Sequence, residues 1–438
     1  MIAVVFAALM VASASAGFTQ SSIATAPTPA ASESPFDSPA PQASPAASPA
    51  PSTSPVARAS AEPDLAKARV DALLRGGHAD AAAFSASFLA QVPVAQIDTI
   101  VVQLTAGLGR YVGIDGASGT YAARFAKGTD EIFVHLDGER KIDGLFFKTP
   151  KFATSSLDDA LANLARVGAN ATLSYVVVEG RSERAALAPS MPLAVGSTFK
   201  LAVLAALRDE IAAGRRHWND VEPLQSAWKS LPSGVLQTWP DGTPITLATY
   251  ATEMISISDN AAADALIALV GPKALAPYAG RNVPFLTTRE SFILAGTTGA
   301  AQARAYRAAS TPEARSAVLT AVDRFPEPTL ATFTGMSAVP MLDVEWHYSV
   351  RELCALMARV AVLPLMSINA GPAGTADFAR VAYKGGSDRG VINLTTQVLT
   401  KRGSRVCFSA TLNNATTAFD DAAFELAYGA AIASLADR

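Results

Sequence analysis

Ser197-Thr198-Phe199-Lys200 places a hydroxyl and an amine three residues apart. On a helix this spacing puts both side chains on one face, a turn apart, where the amine can take the serine's proton. A serine alcohol is a poor nucleophile until a base removes that proton, and a lysine desolvated among apolar neighbours has its pKa lowered toward the range of such a base. Further along, Ser258-Asp259-Asn260 adds a second hydroxyl and an amide, and Lys384-Gly385-Gly386-Ser387 adds a second cation on a glycine-rich stretch. A set of this kind makes and breaks an acyl-serine bond, and its order is S-x-x-K, S-D-N, K-[TSG]-G, the third motif here reading K-G-G.

The surrounding residues state what must position each motif. Phe199, Leu201, Ala202, Val203, Leu204, Ala205, Ala206 and Leu207 form an apolar, helix-favouring run, so Ser197 is expected at the start of a buried helix. There the unpaired N–H groups and the helix dipole favour negative charge. Ser258-Asp259-Asn260 reads as a short corner between two helical stretches, Leu247 to Ile257 and Asn260 to Val270; a plain N-cap is the competing account. Lys384 ends a strand-like run from Phe378. Gly385 and Gly386 then keep a strand edge bare for a ligand's backbone, unless they are an ordinary turn between strands. A second S-x-x-K, Ser226 to Lys229, lies among Pro223, Pro232 and Gly234 with no helical run behind it, and context favours the first copy.

With all three motifs in order, residues from about 151 to 438 resemble the transpeptidase and serine beta-lactamase superfamily. The stretches Asn282 to Glu290 and Trp346 to Cys354 also resemble a subgroup in which a small domain precedes the hydrolase, as in serine hydrolases of clavulanic acid clusters. The resemblance implies an α/β (α+β) serine beta-lactamase-like fold: an antiparallel sheet packed by helices, an all-helical lobe beside it, and the active site between them. It implies Ser197 as nucleophile, Lys200 as its proton acceptor, and Ser258 as the relay to the leaving group. Asn260 would bind Lys200 and the substrate amide, and Lys384 would keep Ser258 reactive and attract a carboxylate. The oxyanion hole would be formed by the N–H groups of Ser197 and Ser387, beside Gly385 and Gly386.

One departure concerns turnover. The family's E-x-x-L-N loop, whose Glu activates the deacylating water, is missing between the second and third motifs. Glu345 is the one acid there considered as a deacylation base, and a charge in the first turn of a helix beginning near Trp346 is the favoured account of it. Acylation is therefore easier to expect than turnover. The expected activity is slow hydrolysis of a beta-lactam or related amide or ester through an acyl-enzyme. The alternatives are a D-alanyl carboxypeptidase or esterase of the same fold, and a non-catalytic penicillin-binding or ligand-binding protein.

Other chemistries find less support. The four histidines, His78, His135, His217 and His347, are scattered, with no G-x-S-x-G elbow; His347 reads as a helix-face residue. No H-E-x-x-H or C-x-x-C occurs, so neither metal nor cofactor is expected, and the partner is a small-molecule substrate. A net charge of −3 leaves no basic footprint for nucleic acid. Cys354, on an expected helix, and Cys407, on an expected strand, are either a disulfide or two buried thiols.

Ahead of the hydrolase, residues 1–16 are apolar and end Ala14-Ser15-Ala16, a signal-peptide pattern that predicts export to the periplasm or beyond. No transmembrane helix is expected in the mature chain. Residues 17–62, dominated by Ala, Pro and Ser, read as an extended linker. Residues 63–150 read as a small α+β domain. Leu65–Leu74 and Ala81–Leu89 have helical spacing, Ile97–Leu104 is a third helix or a buried strand, and alternating stretches follow, punctuated by Asp115-Gly116, Lys127-Gly128 and Asp137-Gly138. Helices followed by a curved antiparallel sheet resemble the cone-shaped, steroid-isomerase-like type.

Overall fold

The computed structural model describes residues 64–326, 341–416 and 421–436, apart from residues 149, 154 and 155. The expected signal peptide and linker lie outside the described residues.

Five strands form the larger sheet. Its order is Arg380–Asp388, Val391–Leu399, Arg405–Asn413, Thr172–Glu179 and Ser182–Leu187, every neighbouring pair antiparallel. The inner strands Val391–Leu399 and Arg405–Asn413 are largely buried, and the polar residues Asn393, Thr395 and Ser409 that they carry inside hydrogen-bond one another. One face packs Leu161, Leu164, Phe424 and Tyr428 from helices Leu157–Val167 and Asp421–Ser434. The other face meets helices Lys200–Ala212 and Val350–Val360, behind which lies a helical lobe. Residues 200 to 207 are buried without a break, so helix Lys200–Ala212 lacks an amphipathic stripe because it has no solvent face along that stretch. Burial of Leu201, Val203, Leu204 and Leu207, worth about 1.5–3 kcal/mol each, offsets the cost of sealing Lys200 among them. Helix Asn260–Ala279 runs past the expected Val270, but Gly271 (φ 74°, ψ 167°), followed by Pro272, breaks it.

The segment from Trp346 differs from expectation. His347–Tyr348 is a short strand paired with Leu193–Ala194, and the helix starts only at Val350, where Ser349 and Glu352 form a capping box. Glu345 is thus outside any helical first turn, and His347 is on no helix. Cys354 and Cys407 form a disulfide that joins helix Val350–Val360 to the central strand of the sheet.

The N-terminal unit has its own core. Helices Leu65–Gly76, Ala86–Gln91 and Val94–Leu108 pack on an antiparallel sheet of Tyr111–Ala117, Thr120–Phe125, Gly128–Leu136 and Ile142–Phe147. Ile97 to Leu104 is therefore helix. Two turns fall elsewhere than their glycines suggested. Asp115 and Gly116 lie inside a strand, with the turn at Ser118-Gly119, and Gly128 opens a strand after Ala126-Lys127. Strand Lys151–Phe152 pairs with Gly128–Thr129, so this sheet extends past residue 150.

Candidate active site

Three supports hold the Ser197 turn. Strand Leu193–Ala194 pairs with His347–Tyr348, and the Asn413 amide exchanges two 2.9 Å hydrogen bonds with the Ala194 backbone. Val195 N donates to Trp346 O (3.0 Å), and the Phe199 and Trp346 rings stack with centroids 3.8 Å apart. Residues Gly196–Phe199 form a 3₁₀ turn that runs directly into helix Lys200–Ala212. The third support is a close backbone approach. A Cβ on Gly386 would lie 2.4 Å from Ser197 N, Thr198 N and Val195 O, and one on Gly196 (φ 51°) would lie 2.9 Å from Ser387 N. The bare backbone at Gly386 thus admits the Ser197 turn, in place of the expected ligand backbone, and strand Arg380–Asp388 runs straight through both glycines.

At that turn five of the motif side chains, Ser197, Lys200, Ser258, Asn260 and Lys384, converge. Lys200 Nζ lies 3.2 Å from Ser197 Oγ, 3.2 Å from Ser258 Oγ, 2.7 Å from Ser258 O and 2.7 Å from Asn260 Oδ1. Lys384 Nζ donates to Ser258 Oγ (3.0 Å) and to its neighbour's carbonyl, Gly385 O. Ser258 is held at φ +59°, a left-handed conformation that a serine adopts only under local constraint. Ser233 Oγ grips its carbonyl (2.7 Å), while Asp259 caps helix Asn260–Ala279 through Ala262 N (2.8 Å). Asp259 also accepts Val235 N (2.6 Å) and Leu236 N (2.9 Å), so the capping account of this corner holds alongside its place in the site.

Burial lowers the Lys200 pKa to about 7, against the opposing pull of Asp259 and Asp264. Lys384 is lowered well below its ordinary value by burial and then by the charge of Lys200. A neutral Lys200 amine has two hydrogens for the two acceptors at 2.7 Å, Ser258 O and Asn260 Oδ1, which leaves its one lone pair to accept from either of the hydroxyls at 3.2 Å, one at a time.

Two buried acids escaped sequence reasoning. Asp264, one turn after Asn260, accepts Thr288 N (2.7 Å) and Arg289 N (2.9 Å), and burial raises its pKa to about 6. Glu290 closes a capping box with Thr287, and burial raises it to about 7. The i, i+4 relation of Asn260 to Asp264 and the T-x-x-E pattern of 287–290 were the available signals. Glu345 stands apart from the polar line. Its carboxyl faces that of Asp388 and the backbone N–H groups of Trp346 and Gly196. Ser226 and Lys229 of the second S-x-x-K lie in and after a 3₁₀ turn, and Lys229 pairs with Asp241 (2.7 Å).

Among the described residues there is no cluster of three or more His, Cys, Asp or Glu suited to a metal, and no helix long and apolar enough to cross a membrane. Among curated proteins none matches the chain. Solved structures to which it is similar include a beta-lactamase from Sphaerobacter thermophilus, at 20% identity over 64% of this chain and 96% of that one, with a TM-score of 0.45. A beta lactamase from Xanthomonas campestris shares 15% identity over 65% and 99%, with a TM-score of 0.44. The protein PBP-A shares 15% over 64% and 95%, with a TM-score of 0.42. Residues 156–325, which carry Ser197, Lys200, Ser258 and Asn260, match the model of the beta-lactamase enzyme family.

Proposed function

We propose that the chain is a serine hydrolase that forms an acyl-enzyme at Ser197 with a beta-lactam or a related amide or ester. The observation that carries this reading is the unbroken line Ser197 Oγ, Lys200 Nζ, Ser258 Oγ, Lys384 Nζ, with links of 3.2, 3.2 and 3.0 Å. Neutral Lys200 takes the Ser197 proton as Oγ attacks the carbonyl carbon. The N–H groups of Ser197 and Ser387 receive the oxyanion, a contribution of a few kcal/mol per donor. As the C–N bond breaks, the leaving nitrogen takes the Ser258 proton, and the Lys200 ammonium returns one to Ser258. Lys384 holds the field around Ser258 and draws a substrate carboxylate. Water then cleaves the acyl ester, releasing the acid and restoring the serine.

Slow deacylation belongs to the same reading, because among the described residues no carboxylate hydrogen-bonds Ser197 or Lys200. Export fits as well: a disulfide persists in an oxidising compartment. Intact-mass measurement after mixing with benzylpenicillin tests the proposal. A long-lived adduct that Ser197→Ala abolishes is the expected result, and product without adduct marks fast turnover. An unmodified, unreacted mixture excludes beta-lactams and leaves a carboxypeptidase or esterase.

A further inference from the structure

Behind the Ser197 turn lie two carboxyl groups for which the acylation steps have no use. Glu345 precedes the strand that pairs with Leu193–Ala194, and Asp388 ends the strand that carries Lys384 and Ser387. Their side chains meet at hydrogen-bonding range. Glu345 Oε2 is buried and receives no donor from the described residues. Facing carboxyl groups disfavour double ionisation, and at these two half-buried side chains that favours one proton held between them. The contacts favour Glu345 as its holder. Asp388 already accepts Arg389 N (2.6 Å) and has the Arg389 charge beside it, which stabilises its anion, whereas among the described residues Glu345 faces, besides Asp388, the backbone N–H groups of Trp346 and Gly196.

Gly196 is the residue before Ser197, and Asp388 is the residue after Ser387. The carboxyl pair therefore adjoins the two pieces of backbone that approach closely at Gly196 and Ser387. We propose that Glu345 and Asp388 are positioning residues that share one proton and tie the Gly196–Ser197 turn to the Ser387 end of its neighbouring strand, holding the two oxyanion donors in register. This role rests on the acyl-enzyme reading above. It assigns Glu345 to the support of the oxyanion site in place of deacylation. Burial, with the neighbouring Asp388 charge, raises Glu345 above the ordinary carboxyl range. As pH rises through that raised value the pair becomes doubly negative and repels, and the tie is lost.

Two readouts test the pair. The first needs no substrate. An infrared difference spectrum of wild type minus Glu345→Gln at pH 5 is expected to show one protonated carboxyl, absent from the variant. The second is acylation of Ser197 by a fluorophosphonate, which requires an activated serine but no beta-lactam site. Glu345→Ala is expected to lower its maximal rate about tenfold with half-saturation little changed, and Glu345→Gln, which still donates to Asp388, to restore it to within about threefold. Ser197→Ala sets the background, and circular dichroism verifies that each variant is folded. No protonated carboxyl in the difference spectrum, a wild-type rate in Glu345→Ala, or failure of Gln to rescue would each overturn the proposal. If the fluorophosphonate pattern holds while benzylpenicillin leaves no mark, the beta-lactam reading fails and the pair stands.

Discussion

One nitrogen of Lys200 lies within 3.2 Å of four oxygens, and in the proposed acylation it acts only once it has lost its charge. With a pKa of about 7, set chiefly by burial, it gains its lone pair as pH rises through neutrality. Acylation by benzylpenicillin is therefore expected to rise with pH across an apparent pKa near 7, measured from adduct formation at fixed time. Lys200→Arg keeps bulk and donors but has no neutral form, and a fall of roughly 10² to 10⁴ in that rate is expected. An acylation rate flat between pH 6 and 8 would exclude Lys200 as the base. In the N-terminal unit, Asp130 is buried, and among the described residues neither of its carboxyl oxygens has a hydrogen-bond partner. Burial raises its pKa to about 8, so the folded chain keeps a proton that the unfolded chain loses above about pH 4. Stability from this group is full below that pH and falls as pH climbs to 8. Asp130→Val is expected to raise the melting temperature, and more at pH 8 than at pH 5; a uniform or negative shift in calorimetry would contradict the assignment.

Between elements, the disulfide does what packing alone leaves to chance, since it fixes helix Val350–Val360 against the central strand on the face where helix Lys200–Ala212 lies. It closes a loop spanning 53 positions. In the chain-entropy account a loop of that size stabilises the fold by roughly 4 kcal/mol. Reduction, or the pair Cys354→Ala and Cys407→Ala, is expected to lower the melting temperature by several degrees. Thermal unfolding with and without reductant reads this directly, and coincident curves would show that the cross-link constrains little. A sharper dependence holds where Gly386 crosses the Ser197 turn. No side chain fits between those backbones, and the strand and the turn can only be displaced together.

Across the whole molecule, the N-terminal unit rests on the helix that covers the back of the large sheet, far in the chain from every motif. A Cβ at Gly107, near the end of helix Val94–Leu108, would lie 2.0 Å from Leu426 Cδ1 on helix Asp421–Ser434. Gly107→Leu is expected to separate the units: one calorimetric transition becomes two, while acylation stays within a few-fold of wild type. A single unchanged transition would mean that this contact does not couple them, and a lost acylation rate would mean that the first unit supports the site. Polar capping keeps the first unit intact in either case, with Asp64 accepting both Lys67 N and the Tyr121 hydroxyl.

By itself the sequence determined the motifs, their order, the buried helix behind Ser197 and the sheet edge at Lys384, because each depends on residues close along the chain. Helix spacing joins Ser197 to Lys200, and glycine content marks a backbone that must pass something closely. Only the tertiary structure decided what passes Gly386, that Cys354 meets Cys407, and that Glu345 turns toward Asp388 and away from Lys200. Those outcomes depend on which distant segments share a buried volume. Glu345 shows the difference: next to Trp346 it looked like a charge on a helix's first turn, but the pairing of His347–Tyr348 with Leu193–Ala194 delays the helix to Val350 and draws the carboxyl inward. Asp264 and Glu290 were hidden for the same reason, since an acid at a helix position or in a cap looks ordinary until the fold seals it from water.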